Sequence, residues 1–212
     1  MNYTEKSRTA YNKKAAEYDN TFDGRFTKRY RAVMAELVSL SDGDSILDVA
    51  CGNGGLLRLL TEEKIVAAYG IDISEEMIRC ARLNYGDAVF AVGNADKLDF
   101  ADNRFKAVTC CCAFHHFDRP DLFLKEAHRV CIDGGKLFVA EVNLPAFARD
   151  AANKVVSFSP SGDVRIYSMD ELAYLMHQAG FSKITVYKKG IVQVAVGTKT
   201  LKKEEAFSDE IH

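Results

Sequence analysis

The sequence predicts an α/β domain built on a seven-stranded, mostly parallel, doubly wound sheet that ends in an antiparallel hairpin. Two observations predict it. From Ser45 to Val142, short apolar runs alternate with helical stretches, and the runs are apolar along most of their length, as strands covered on both faces require. At the C-terminal end, two β-type runs, Phe181–Lys188 and Ile191–Gly197, are joined only by Lys189-Gly190, a link that can make only an antiparallel hairpin.

The elements follow in order. Residues 1–24 are polar with scattered tyrosines and read as a cap or flexible lid. In residues 25–40, Phe26, Tyr30, Val33, Met34, Leu37 and Val38 recur at helical spacing, so one face should pack on the sheet. Ser45–Ala50 reads as a buried strand and Gly54–Glu63 as the helix behind it. Ile65–Ile71 is a second strand; Ser74 then caps a helix that ends near Gly86, with Glu75 and Glu76 placed favourably against its dipole. Ala88–Val92 and Phe105–Cys112 are the third and fourth strands. Asp121–Cys131 reads as a helix closed by Gly134-Gly135, and Lys136–Val142 as the fifth strand. Residues 144–167 carry Pro145, Pro160 and Gly162 with weak periodicity, which suggests an insertion on the substrate side. Ser168-Met-Asp-Glu171 fits a capping box for a last helix that stops at Gly180. The expected organisation is therefore a cap (1–24), one domain (25–200) and a frayed tail (201–212).

Composition narrows the function. Hydrophobic residues at 48% and charged residues at 27% are globular values, which excludes a disordered, collagenous or coiled-coil chain. A net charge of −2 argues against a protein held to nucleic acid by phosphate neutralisation. The polar N-terminus offers no signal-peptide core, and no apolar run approaches the roughly 18 residues of a membrane span. The six cysteines form no Cys-x-x-Cys pair, and Cys110, Cys111 and Cys112 lie together in an apolar run that suits reduced, buried thiols. The expectation is a cytoplasmic protein with no nucleic-acid or membrane partner.

The most informative segment is LDVACGNGGLL, residues 47–57, which sets Gly52, Gly54 and Gly55 between a strand and a helix. Glycine there permits positive φ and lets a ligand approach the backbone. Asp72, at the end of the next strand, lies twenty residues beyond Gly52, where a carboxylate in a parallel sheet accepts hydrogen bonds from ribose hydroxyls. A dinucleotide site would want a small residue at position 57, which is Leu57. Asp48, beside the loop, would repel a pyrophosphate but attract an amino group. The ligand these residues favour has a ribose, an ammonium and a carboxylate.

These motifs resemble those of the class I S-adenosylmethionine (SAM)-dependent methyltransferases, in particular the small-molecule branch with the ubiquinone/menaquinone-type enzymes. LDVACGNGG is similar to the family's first motif and GIDISEEMIRCAR to its second. GNADKLDF (93–100) resembles the adenine-contact motif, FKAVTCCCAFHHF (105–117) the fourth strand with its loop, and EAHRVCIDGGKLFVAEV (126–142) the following helix and fifth strand. YNKKAAEYD (11–19) is similar to the segment that folds over SAM. The resemblance implies a Rossmann-like methyltransferase fold with SAM as cofactor and a small-molecule methyl acceptor as partner. By position, it implies that Asp48, Gly52 and Gly54 surround the methionine part and that Asp72 holds the ribose. Ile73 and Met77 would pack on the adenine, with Ala95 and Asp96 at its edge. Cys112 and Ala113 would lie near the sulfonium, and Tyr18 would close the pocket. Ala50 stands where many members have glycine.

His115 and His116 follow the fourth strand on the carboxyl edge, where an imidazole can act as a general base or orient the acceptor. The plainer reading has one bonding loop backbone and the other packing under the next helix. A metal is not expected, because adjacent histidines do not readily converge on one ion and successive strand cysteines point to opposite faces. Lys13, Lys14, Lys28, Arg29 and Arg31 read as a solvated basic face. Methyl transfer to a small molecule is the leading expectation; a non-catalytic SAM-binding module and a nucleotide-dependent oxidoreductase are its rivals.

Overall fold

Seven strands, β1 (Ser45–Val49), β2 (Ala67–Asp72), β3 (Val89–Val92), β4 (Phe105–Cys111), β5 (Cys131–Val142), β6 (Phe181–Lys189) and β7 (Val192–Lys199), form one sheet in a computed structural model that describes residues 2–200. Their order is β3-β2-β1-β4-β5-β7-β6, with β7 antiparallel to both its neighbours and the first five strands parallel. The expected tail, 201–212, lies outside the described residues.

Because successive side chains alternate faces, each strand feeds two apolar layers. Leu47, Val49, Val108, Cys110, Leu137 and Val139 point to one layer, and Ile46, Ala107, Phe138 and Ala140 to the other. The first layer is covered by α5 (Pro120–Val130) and α7 (Met169–Gln178), through Phe123, Ala127, Leu172 and Met176. The second is covered by α2 (Phe22–Leu37), α3 (Gly55–Thr61) and α4 (Glu75–Asn84), through Tyr30, Met34, Leu57 and Ile78. Truncating a fully buried ring such as Phe123 in a core of this kind costs about 3–5 kcal/mol.

Local chemistry sets the helix ends. Thr21 accepts from Gly24 N to start α2, Ser74 accepts from Met77 N to start α4, and Ser168 and Glu171 cap each other's backbone at the start of α7. One boundary differs from expectation. Helix α5 stops at Val130, and Cys131 is already extended and paired with Phe105, so Gly134-Gly135 lie inside an irregular β5 rather than at a helix end. A Cβ on Gly135 would stand 2.8 Å from the Ile132 carbonyl oxygen, so only glycine lets the strand pass there.

The two flanking segments are more ordered than their sequences suggest. Residues 2–24 contain α1 (Tyr3–Lys14) and a 3-10 turn (Ala15–Asn20) ahead of α2. Helix α1 is fastened to the start of α4, where the Ser74 hydroxyl donates to Asn12 Oδ1 at 2.6 Å and Arg8 pairs with Glu75. Residues 144–167 include α6 (Ala146–Asn153), and their loop lies against α1. A Cβ on Gly162 would fall 2.6 Å from the Tyr3 carbonyl oxygen.

Candidate functional site

In the order β3-β2-β1-β4-β5 the sheet grows to one side of β1 and then to the other, and ligands in such sheets bind at the carboxyl ends of the strands flanking that switch point. A cleft partly open to solvent lies there. Its floor comes from the turns after β1, β2, β3 and β4, and its roof from Thr4, Ser7 and Tyr11 of α1, Tyr18 of the 3-10 turn, and Thr27 and Arg31 of α2.

The glycine turn and the spaced acid form one unit. Gly52, at φ +53°, donates its N–H to Asp72 Oδ2 at 2.8 Å, and Ser74 N donates to Asp72 Oδ1 at 2.9 Å. A carboxylate has about four acceptor positions, so both oxygens keep capacity for a diol. Among the described residues, none other than the chain neighbours of Gly52 has a heavy atom within 4 Å of where a Cβ there would stand, so the backbone is open to the cleft. Burial raises the Asp72 carboxyl, against the pull of the Ser74, Gly52 and Ile73 amides.

Asp48 is buried at 1% exposure and accepts from the Thr109 hydroxyl at 2.7 Å. Burial pushes its carboxyl up to about 7, although Thr109 and the Arg31 charge hold it down in part. A desolvated acid in this position is suited to a cationic ligand group. Ala50 sits in the left-handed region at φ +58°, which explains why glycine would suit the position better.

Most expected site residues line the cleft: Tyr18, Asp48, Gly52, Asp72, Ile73, Met77, Ala95, Asp96, Cys112, Ala113 and His116. Gly54 and His115 do not. Gly54, at φ +79°, caps α3, and a Cβ there would stand 2.9 Å from Phe90 Cζ, so packing alone requires glycine at this position. His115 turns away because its Nδ1 lies 2.8 Å from Oε2 of Glu141, a buried acid on β5.

His116 is 8% exposed, and its Nε2 lies 3.0 Å from the Tyr11 hydroxyl. Its Nδ1 is 3.1 Å from Asp163 Oδ1 but lacks the alignment of a hydrogen bond. Burial first, and then the charge of His115, hold His116 well below the usual imidazole range, so it is neutral near pH 7. Burial would also lower His115, but the Glu141 charge and hydrogen bond, with Asp163, outweigh it and raise the group.

Two sequence expectations are corrected. Arg31 is not part of a solvated face: it is buried, donating to Asn53 Oδ1 at 3.1 Å and pairing with Asp19 at 3.3 Å, while Lys14 pairs with Asp23. The expected alternation of the three cysteines holds for Cys110 and Cys111 but not for Cys112, which is left-handed at φ +56° and packs on the same layer as Cys111. The adjacent histidines stand in a 3-10 turn (Phe114–His116) after the fourth strand, with ring centroids 4.2 Å apart, and the loop at Asp163 closes on them. Sequence reasoning missed Tyr11, Asn53, Thr109, Glu141 and Asp163. Glu141, a lone acid in a buried apolar strand, carried a signal; Asp163 carried none.

Among known proteins, the family described as a methyltransferase domain matches residues 47–139. The chain is 35% identical over 142 residues to the demethylmenaquinone methyltransferase of Renibacterium salmoninarum, covering 63% of this chain and 57% of that protein. It is 36% identical over 131 residues to the ubiquinone/menaquinone biosynthesis C-methyltransferase UbiE of Legionella pneumophila, covering 57% and 50%. The chain thus spans about half the length of these relatives. Among solved structures, a SAM-dependent methyltransferase from Thermotoga maritima superposes with a TM-score of 0.73 at 23% identity, over 92% of this chain and all of the other, a likeness of fold.

Proposed function

We propose that the chain is a class I SAM-dependent methyltransferase that transfers a methyl group from SAM to a small-molecule acceptor, a reading supported by the methyltransferase-domain match and by the similar methyltransferases. The observation that carries the proposal is the pairing of Asp72 with Gly52 beside the desolvated Asp48, which gives one acid for a ribose and one for an ammonium across an open backbone turn. The residues present fit this cofactor, because the Gly52 backbone is open to the cleft and Asp48 is a buried acid raised by its lack of solvation.

Bound SAM supplies a methyl group on a positively charged sulfur, already activated for in-line displacement. The chain's part is to align the partners and exclude water, which in favourable cases contributes roughly 7–11 kcal/mol. In the proposed arrangement, Asp72 accepts from the ribose hydroxyls, and Ile73 and Met77 flank the adenine, with Ala95 and Asp96 at its edge. Cys112 and Ala113 wall the sulfur, while Tyr18 and Tyr11 close the roof. At the acceptor end, the Tyr11 hydroxyl faces the cleft and passes a proton from the acceptor to Nε2 of the neutral His116, 3.0 Å away. His115 is a positioning residue, held by Glu141. The relatives named for demethylmenaquinone and ubiquinone/menaquinone support a small molecule as acceptor.

Incubating the protein with methyl-labelled SAM and a panel of small acceptors, headed by demethylated quinones, tests the reading. Labelled product with release of S-adenosylhomocysteine is expected, and His116→Ala should lower kcat by about 10²–10⁴-fold. Tight SAM binding without turnover on any acceptor would instead indicate a binding module, and binding of NAD in place of SAM an oxidoreductase.

A further inference from the structure

Behind the cleft wall at His116, two imidazoles and a carboxylate lie together, although their positions in the sequence are 115, 116 and 163. His115, His116 and Asp163 can each offer one donor atom, and these atoms lie within 4.8 Å of one another. Asp163 Oδ1 is 3.1 Å from His116 Nδ1 and 3.5 Å from His115 Nε2. A tetrahedral ion with bonds of about 2.0–2.2 Å holds its ligand atoms about 3.3–3.6 Å apart, so the two Asp163 separations already suit one, and the two imidazoles need only close to the same spacing.

The outer nitrogens are already held. His115 Nδ1 is 2.8 Å from the buried Glu141 carboxylate, and His116 Nε2 is 3.0 Å from the Tyr11 hydroxyl. Metal-ligating histidines are oriented in this way, by a carboxylate or hydroxyl on the far side of the ring. The inner nitrogen of His116 is buried and, among the described residues, has no well-aligned hydrogen-bond partner, although a carboxylate oxygen lies 3.1 Å away and the Gly162 backbone is beside the ring. A buried polar atom without a partner costs about 1–3 kcal/mol, and a cation at that point would remove the cost. The loop that delivers Asp163 is pinned at the same place, since Val164 N donates to the His115 carbonyl at 2.8 Å. The nearby Lys14 ammonium does not neutralise Asp163, being bonded to Asp23 and Ser161.

We propose that His115, His116 and Asp163 form a binding site for a borderline divalent transition ion, for which Zn2+ is the probe, with Glu141 and Tyr11 as its outer supports. Two imidazoles and one carboxylate suit such ions better than Mg2+ or Ca2+, which favour oxygen donors. Three protein ligands leave a position for water or an oxygen atom of the acceptor. An ion takes the His116 Nδ1 lone pair, so the loaded protein presents a Lewis acid where the ion-free protein presents a base. The proposal does not depend on methyl transfer, and its readout is metal content.

The test is equilibrium dialysis of the full chain against Zn2+ buffered by a weak chelator, with metal measured per chain, repeated with Co2+ for its absorption spectrum. One ion per chain is expected, bound at least tenfold more weakly by His116→Ala and Asp163→Ala and about 10–100-fold more weakly by Glu141→Gln. Circular dichroism checks the fold of each variant; should His116→Ala fail to fold, Asp163→Ala, in the loop, decides the question. No stoichiometric uptake, uptake unchanged by Asp163→Ala, or a thiolate-to-cobalt band pointing to Cys111 and Cys112 would each overturn the proposal.

Discussion

The backbone N–H of Gly52 donates to Asp72 Oδ2 at 2.8 Å, so the acid that ends the second strand also holds the turn that follows the first. The same carboxylate accepts from Ser74 N, at the start of α4. One side chain therefore serves both the fold and the proposed ribose contact.

Asp72→Ala should weaken SAM binding at least tenfold. It should also cost about 1–3 kcal/mol of stability, because the Gly52 and Ser74 amides lose their acceptor. Calorimetric titration with SAM and thermal unfolding measure the two effects separately. A variant that loses neither would remove Asp72 from the site.

Asp48 should trade stability against binding. Its carboxyl is raised from an ordinary 3.8 to about 7, chiefly by burial, so the folded chain holds this proton more tightly than the unfolded one. The stability this contributes is complete below about pH 4 and is lost as pH rises through about 7. Asp48→Asn should therefore stabilise the SAM-free protein at pH 8, by up to about 4 kcal/mol, and much less near pH 4. The ionised acid is the form that would pair with an ammonium, so wild-type SAM affinity should rise as pH passes 7, and the variant should bind more weakly and with a flatter profile. Thermal melts and SAM titrations at several pH values check both signs.

Ala50→Gly should be stabilising. Alanine at φ +58° carries left-handed strain of about 1–2 kcal/mol, part of which glycine offsets by its greater freedom in the unfolded chain. A net gain of about 0.5–1 kcal/mol in denaturant unfolding is expected.

Arg31→Ala should loosen the roof. Arg31 joins α2 to Asn53 of the glycine turn and to Asp19 of the 3-10 turn, and its removal leaves partly buried partners unpaired, at a cost of about 1–3 kcal/mol. Limited proteolysis should cut faster within residues 12–20, and SAM should bind more weakly.

The sheet, the reversed last strand and the Gly52–Asp72 unit were legible because each is written in local spacing: apolar runs, a two-residue link, an acid twenty residues past a glycine. The roof was legible only as a cap. Helix α1 is polar because it lies over a cleft, and its partners Asn12–Ser74 and Tyr11–His116 are fixed by docking across more than sixty residues. Arg31 shared the helical stripe of Thr27 and Met34, a sign of burial that its charge concealed. Asp163 reaches the histidines through an irregular loop, and no periodicity encodes where such a loop lands. Gly54 has a packing role that its place in the motif did not reveal, because the space beside it is filled by Phe90.

The most direct measurement is a crystal structure of the chain with S-adenosylhomocysteine. The nucleoside should lie in the cleft with both ribose hydroxyls within hydrogen-bond distance of Asp72 and the amino group beside Asp48. An empty cleft under saturating ligand, or a nucleoside bound with Asp72 facing solvent, would contradict the account.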